Sequence, residues 1–207
     1  HRVDRRQRQM CIRDRTKDSQ SAVQFAKFLN QPNALILDNS ELLPYDFFSM
    51  APITRARRIS TLSAYLKEKE ITLISSIATL LSPVPKPIHI SPLNNLSVGD
   101  HFYPESVIKE IILNGYTRED FVSLPGHYAL RGSVMDIFLT SGTEPIRIEF
   151  FNNQIESLRI FNPESQITHE KINHINFLPS YEYPLNRNSA EIFKKEWRKR
   201  FELFEED

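Results

Sequence analysis

Apolar positions along the chain fall into two regimes. Val23, Phe25, Ala26 and Leu29 recur at near-helical spacing within residues 19–30, with Ser19 or Ser21 available as a cap and Gln31-Pro32-Asn33 as the break. Residues 34–37 (ALIL) are an unbroken apolar run, the pattern of a strand covered on both faces. Residues 39–54 read as irregular, with Pro44, Pro52 and the aromatics Tyr45, Phe47 and Phe48. Residues 54–69 then predict a helix striped by Ile59, Leu62, Tyr65 and Leu66, with Arg55, Arg57 and Arg58 on its other faces. Residues 71–75 predict a second buried strand and residues 77–81 a short helix. This alternation predicts a small α/β unit with a parallel sheet.

The pattern changes after residues 82–87 (SPVPKP), where three prolines in six positions make a stiff connector. Pro104 and Glu105 open a helix over 104–114, and Gly115 is placed to end it. Strand-like runs follow at 128–130, 134–139, 146–151 and 155–161. Asn152-Asn153 is the expected tight turn between the last two. This half reads as α+β with an antiparallel sheet. A final amphipathic helix is expected over 188–204, carrying Ile192, Phe193, Trp197, Phe201 and Phe204.

Composition narrows the class. Hydrophobic residues are 40% of the 207 and charged residues 25%, ordinary values for a chain that buries a core. No apolar run approaches the roughly 18–20 residues of a membrane span, so no membrane partner is expected. The single cysteine, Cys11, excludes an internal disulfide framework and points to a reducing, cytoplasmic setting. The net charge of zero hides six arginines and two aspartates within residues 1–15. Such an arm can bind nucleic acid or acidic lipid. The string RRQRQMCIRDR, however, reads as translated sequencing-adapter DNA, so residues 1–15 are expected to be a non-native leader.

A search for chemistry finds little. None of the five glycines begins a GxxxxGK[ST] loop, and no GxGxxG or GxSxG pattern is present. No catalytic, metal-binding or cofactor-binding residue is assigned, and no cofactor is expected in this chain. His169 and His174 are five apart, not the four that align two ligands on one helix face. They read as surface or strand histidines, and Glu149 and Glu156 as solvated strand residues.

Several segments taken together carry a resemblance. Leu43-Pro-Tyr-Asp-Phe-Phe-Ser49 with Arg58-Ile-Ser-Thr-Leu62 is similar to an LPYDxFSP…RLSTL stretch. Gly126-His-Tyr-Ala-Leu-Arg-Gly132 with Ser133-Val-Met-Asp-Ile-Phe138 is similar to GEYATRGALLDLFP. Pro145–Phe151, Ile155–Phe161, Ser165-Gln166, Phe177-Leu-Pro179 and Glu182-Tyr-Pro184 follow in matching order. The chain thereby resembles the N-terminal, UvrB-like region of bacterial transcription-repair coupling factors over about residues 20–204. UvrB itself, which shares the RGxxxDIF…RxExF pattern, is the rival, but its phosphate loop and long tyrosine-rich hairpin have no counterpart here. His127 and Leu139 stand where the family often has glutamate and proline.

The resemblance implies a layout and a role. Residues 16–87 would be part of a degenerate helicase-like (P-loop-type) α/β domain. Residues 88–179 would be an inserted α+β domain that binds UvrA, and residues 180–207 a return to the first domain, cut short. It implies UvrA contacts through Arg131, Arg147 and Phe151, in transcription-coupled nucleotide excision repair. The longer parent would be a cytoplasmic, ATP- and magnesium-dependent DNA translocase acting on double-stranded DNA and stalled RNA polymerase, with UvrA binding masked by its C-terminal regions. The chain itself would be an adaptor and not an enzyme.

Strand geometry bears on the same residues. Alternation puts Arg147, Glu149 and Phe151 on one face and Ile146, Ile148 and Phe150 on the other. An aromatic beside arginine on a wet face is a typical interface anchor, and an arginine fork grips a carboxylate as lysine cannot. Arg131, just before Gly132, is placed to join them. The blander reading is that Arg147 pairs across the sheet with a glutamate such as Glu156 and that Phe151 folds over the hairpin edge. A nucleic-acid-binding module is the remaining alternative, with Arg55, Arg57 and Arg58 as its best residues.

Overall fold

The computed structural model describes residues 14–16, 19–29, 33–40, 49–68, 70–183 and 187–200. Cys11, the aromatics Tyr45, Phe47 and Phe48, and Phe201 and Phe204 lie outside the described residues.

The first unit contains β1 (Asp14–Thr16), α1 (Ser19–Leu29), β2 (Ala34–Leu37), α2 (Pro52–Lys67), β3 (Thr72–Ser76) and α3 (Ile77–Leu81). The three strands form one parallel sheet in the order β1-β3-β2. β3 is central, and Ile74 at its middle is fully buried. Ser76 caps α3 by accepting the Thr79 N–H at 3.2 Å. Residues 14 and 15, within the expected leader, pair with β3 through Asp14↔Ile74 and Arg15↔Ser75. The edge of β3 away from β2 needs main-chain partners, and three extended residues meet that need whatever their side chains.

In α2, Ile59 and Leu62 are buried as the stripe requires, while Leu66 stays exposed and Ala56, Arg58 and Ser63 are buried. Arg58, expected on another face of the helix than the apolar stripe, is thus buried with it. Its Nε and Nη2 donate to the two carboxylate oxygens of Glu182, with Nη2–Oε2 at 3.1 Å, and Nη1 donates to the Asp38 carbonyl. Arg58 sits one residue from Ile59, close enough to the stripe to be drawn in once a buried acid neutralises it.

The second unit contains β4 (Asn94–Ser97), α4 (Pro104–Leu113), β5 (Thr117–Arg118), β6 (His127–Arg131), β7 (Val134–Ile137), β8 (Ile146–Phe151), β9 (Gln154–Phe161), β10 (Thr168–Ile172) and β11 (His174–Phe177); α5 (Arg187–Arg200) follows. A six-stranded sheet runs β10-β9-β8-β7-β6-β5, antiparallel except for the short β5–β6 pair. β4 and β11 form a separate antiparallel pair. Asn152 and Asn153 adopt φ of 48° and 60°, the two left-handed residues a tight hairpin turn needs. The core lies on one face of the large sheet. Tyr128, Met135, Ile137, Ile146, Ile148 and Leu158 pack there with Phe102, Val107 and Ile111 from the α4 side and Leu96, Ile175 and Phe177 from the small sheet. The ladder of β7 stops at Ile137, two residues short of the expected run, where Gly126 and His127 both bond to Phe138 in a bulge.

The end of α4 ties the two units together. Tyr116 N–H bonds to the Ile111 carbonyl and Gly115 N–H to that of Ile112, each at 3.0 Å, the paired bonds of a Schellman cap. Gly115 has φ +90°, and a Cβ there would sit 1.6 Å from the Tyr181 ring. Tyr181 in turn carries the Arg55 guanidinium over its face at 4.2 Å. Buried Tyr116 donates to the Leu178 carbonyl at 2.8 Å and accepts the Thr140 N–H at 3.4 Å; burial pushes its pKa up to about 12. Ser60 on α2 reaches the Thr140 carbonyl at 2.8 Å. The segment 178–182 is thus clamped between α2 and the sheet.

Candidate partner-binding face

The side of the six-stranded sheet opposite the core is polar at its centre. Register places Asp136 of β7, Arg147 of β8 and Arg159 of β9 side by side on it. One rung along lie Val134, Glu149 and Ser157, with Arg131 of β6 opposite Val134. The ladder shifts register between Glu149 and Phe150, yet Phe150 still turns to the core, its ring 4.9 Å from that of Phe102. Phe151 is left 62% exposed beside the hairpin turn.

Arg147 is held firmly. Its Nε and Nη2 donate to the two oxygens of Asp136 at 2.7 and 2.9 Å, and its guanidinium stacks over the buried Phe161 ring at 4.9 Å. The hydrogen bonds it donates to Asp136 raise the Arg147 pKa above its ordinary value, against the opposing effect of partial burial. The cross-sheet partner is therefore Asp136 and not Glu156, which stays exposed on β9. A residue directly opposite on the neighbouring strand is within reach, whereas Glu156 is passed over at the register shift between Glu149↔Ser157 and Phe150↔Ile155 and stands opposite no residue of β8.

Arg131 reaches the same acid from the other side. Its Nη2 lies 3.7 Å from Asp136 and donates to the Asp120 carbonyl at 2.8 Å, and its guanidinium sits 5.5 Å from the Phe121 ring. Two arginines thus converge on one carboxylate that is 3% exposed. A local excess of positive charge remains, with half of the Arg131 side chain open to solvent. A second, more exposed triangle joins Glu149 to Ser157 at 2.5 Å and to Arg159 at 3.5 Å.

The structure thus brings Arg131 and Arg147 together through Asp136. Phe151 lies at the same end of the sheet as Arg131, since the Phe150 N–H bonds to Ser133 in the β6–β7 turn. Asp136 and Phe121 were missed in the sequence. An acid inside the otherwise apolar VMDI strand is the signal for the first; nothing in the pattern marks the second.

The nucleic-acid alternative loses its basic stripe. Arg58 is buried against Glu182 and Arg55 stacks on Tyr181, which leaves Arg57, 3.8 Å from Asp38, as the exposed member. Among the described residues no group of His, Cys, Asp and Glu is arranged to hold a metal ion, and no helix is long and apolar enough to cross a membrane.

Residues 95–183, which hold this whole face, match the family model of the UvrB interaction domain. The transcription-repair-coupling factor of Escherichia coli is 33% identical over 164 residues, 79% of this chain and 14% of that protein. That of Haemophilus influenzae is 29% identical over 191 residues, 90% of this chain and 17% of that protein. That of Bacillus subtilis is 27% identical over 156 residues, 74% and 13% respectively. The chain belongs to the transcription-repair-coupling factor family. It spans about a sixth or less of the length of these relatives. Within this coupling-factor chain, the matched segment begins at β4 and ends one residue past Glu182, so it takes in the partner of Arg58.

Proposed function

We propose that this coupling-factor chain recruits UvrA through the polar face of its six-stranded sheet, with Arg131, Arg147 and Phe151 as the contact centre. The observation that carries the reading is the convergence of two arginines on the buried carboxylate of Asp136, next to an exposed phenylalanine. Asp136 fixes the direction of both guanidinium groups but neutralises only one of them. A carboxylate on the partner meets an oriented cation whose ordering cost is already met, which is how preorganised contacts gain affinity. Phe151 supplies apolar area beside that polar centre, the usual make-up of an interface anchor.

The layout belongs to the same reading. Residues 16–87 are a partial helicase-like (P-loop-type) domain, residues 88–179 the UvrA-binding insert, and residues 180–207 the return to the first domain. The parallel β1-β3-β2 sheet and the Arg58–Glu182 pair support this division. The whole parent is a cytoplasmic ATP-dependent DNA translocase that displaces stalled RNA polymerase from double-stranded DNA. Its ATP and magnesium are held outside these 207 residues, whose sequence carries no GxxxxGK[ST] motif.

The test sets two ligands against each other. The chain is titrated with purified UvrA and, separately, with duplex DNA, using a variant that lacks residues 1–13 so that most of the basic arm does not contribute while β1 is kept. Saturable binding to UvrA with no DNA binding at 150 mM salt is the expected result. DNA binding that weakens steeply with salt, without UvrA binding, would overturn the assignment.

A further inference from the structure

Phe121 is two-thirds exposed, on the segment that joins β5 to β6. Its exposure is built in. On one side the Asp120 carbonyl is held by Arg131 at 2.8 Å. On the other, Val122 is fully buried in a small cluster with Ala129, Phe138 and Phe161. The chain is therefore pinned immediately before and after Phe121, which leaves its ring standing outward under the Arg131 guanidinium. A groove of about 410 Å³ lies beside it, lined by Arg118, Glu119, Asp120, Phe121, Leu130 and Arg131. Arg131 is thus shared: its Nη2 serves both the Asp136 carboxylate and the Asp120 carbonyl of this groove.

We infer that the groove at Phe121 is a second anchor point of the same docking surface and receives an apolar side chain of the partner. The inference rests on the reading that Arg131 and Arg147 meet an acidic group of UvrA. The chemistry of the walls selects the occupant. Glu119 and Asp120 repel a second carboxylate, whereas the Phe121 ring offers apolar area. The partner segment therefore pairs an acidic residue, facing the arginines, with an apolar residue a few ångströms away, facing Phe121. A rigidly presented aromatic next to arginine is the kind of residue on which binding energy concentrates. The surface then extends from the β8–β9 hairpin across β7 and β6 to the β5 edge of the sheet, wider than the three residues of the contact centre.

The experiment is a titration of purified UvrA against the 207-residue chain and its Phe121→Ala, Phe121→Trp, Arg131→Ala and Phe121→Ala/Arg131→Ala variants, each checked for an unchanged unfolding midpoint. Phe121→Ala is expected to weaken binding by about tenfold or more, chiefly through faster dissociation, and Phe121→Trp to retain it. In the Arg131→Ala background the Phe121→Ala change is expected still to weaken binding. If its effect vanishes there, Phe121 only supports Arg131 and the second anchor is refuted. If Arg131→Ala weakens binding while Phe121→Ala does not, the groove is refuted and the contact centre stands. If neither variant changes affinity, the contact centre is refuted along with the groove.

Discussion

Replacing Arg58 by methionine is the perturbation with the largest expected structural effect. Arg58 and Glu182 are 124 positions apart, and both are buried. Methionine fills much of the same channel but leaves the Glu182 carboxylate and the Asp38 carbonyl without their donors. Removing one member of a buried, hydrogen-bonded pair costs roughly 3–5 kcal/mol, because the charge left behind is unpaired and out of water. Folded domains hold only about 5–15 kcal/mol in total. For a chain of this size the loss corresponds to a fall in Tm of roughly 6–20 °C. Glu182→Leu alone strands the guanidinium and is expected to cost a similar amount. The double variant Arg58→Met/Glu182→Leu is expected to recover most of the loss, since an apolar pair of similar volume needs no desolvation. Urea denaturation of the four proteins closes a double-mutant cycle, and a coupling of about 2 kcal/mol or more is expected. Single variants within about 1 kcal/mol of the parent, or a double variant as unstable as the sum of the singles, would refute the claim that this pair clamps residues 178–182 to α2.

Other perturbations follow from the same contacts. Gly115→Ala puts a Cβ into the Tyr181 ring at a left-handed φ, so thermal unfolding is expected to show a loss of about 2 kcal/mol or more. Tyr116→Phe removes the donor to the Leu178 carbonyl and is expected to cost roughly 1–3 kcal/mol in urea. The Tyr116 pKa is raised when folded, so its contribution is complete below the unfolded value near 10 and falls as pH rises towards about 12. Base-induced loss of stability across that window is expected to be shallower in Tyr116→Phe than in the parent. Asp136→Asn keeps the shape but not the charge that orients both arginines; UvrA affinity is expected to fall about tenfold, and unchanged affinity would remove Asp136 from the face.

Periodicity made the longer elements legible. α1, β2, α2, α3, α4 and the β8–β9 hairpin come within two residues of their expected spans; Pro104 fixes φ at the start of α4, Gly115 and Asn152-Asn153 accept the positive φ their turns need, and Ser76 caps α3. β4, β5, β10 and β11 were not legible. β10 reads Thr-His-Glu-Lys-Ile and holds its place through main-chain bonds to β9, which composition does not advertise. The geometry around the proposed contact residues was half legible. Alternation placed Arg147 and Phe151 correctly relative to the core, but the choice of partner depended on register, and register set Asp136 opposite Arg147. Arg58 was misplaced for a different reason. Its environment is decided by Glu182, which is far away in sequence, and a helical wheel contains no information about that acid.

The same register governs how the central claim is best tested. Arg147→Glu would set a second carboxylate against buried Asp136, so its effect on binding mixes with an effect on folding. Arg131 and Phe151 are exposed, and truncating them to alanine sets no new charge against Asp136. The direct measurement is a calorimetric titration of UvrA with the parent chain and the Arg131→Ala/Phe151→Ala variant, with both unfolding midpoints recorded. An affinity loss of about 2 kcal/mol or more, roughly 30-fold, at an unchanged midpoint is expected if these residues anchor the partner. Affinities within about twofold of each other would contradict the placement of UvrA on this face.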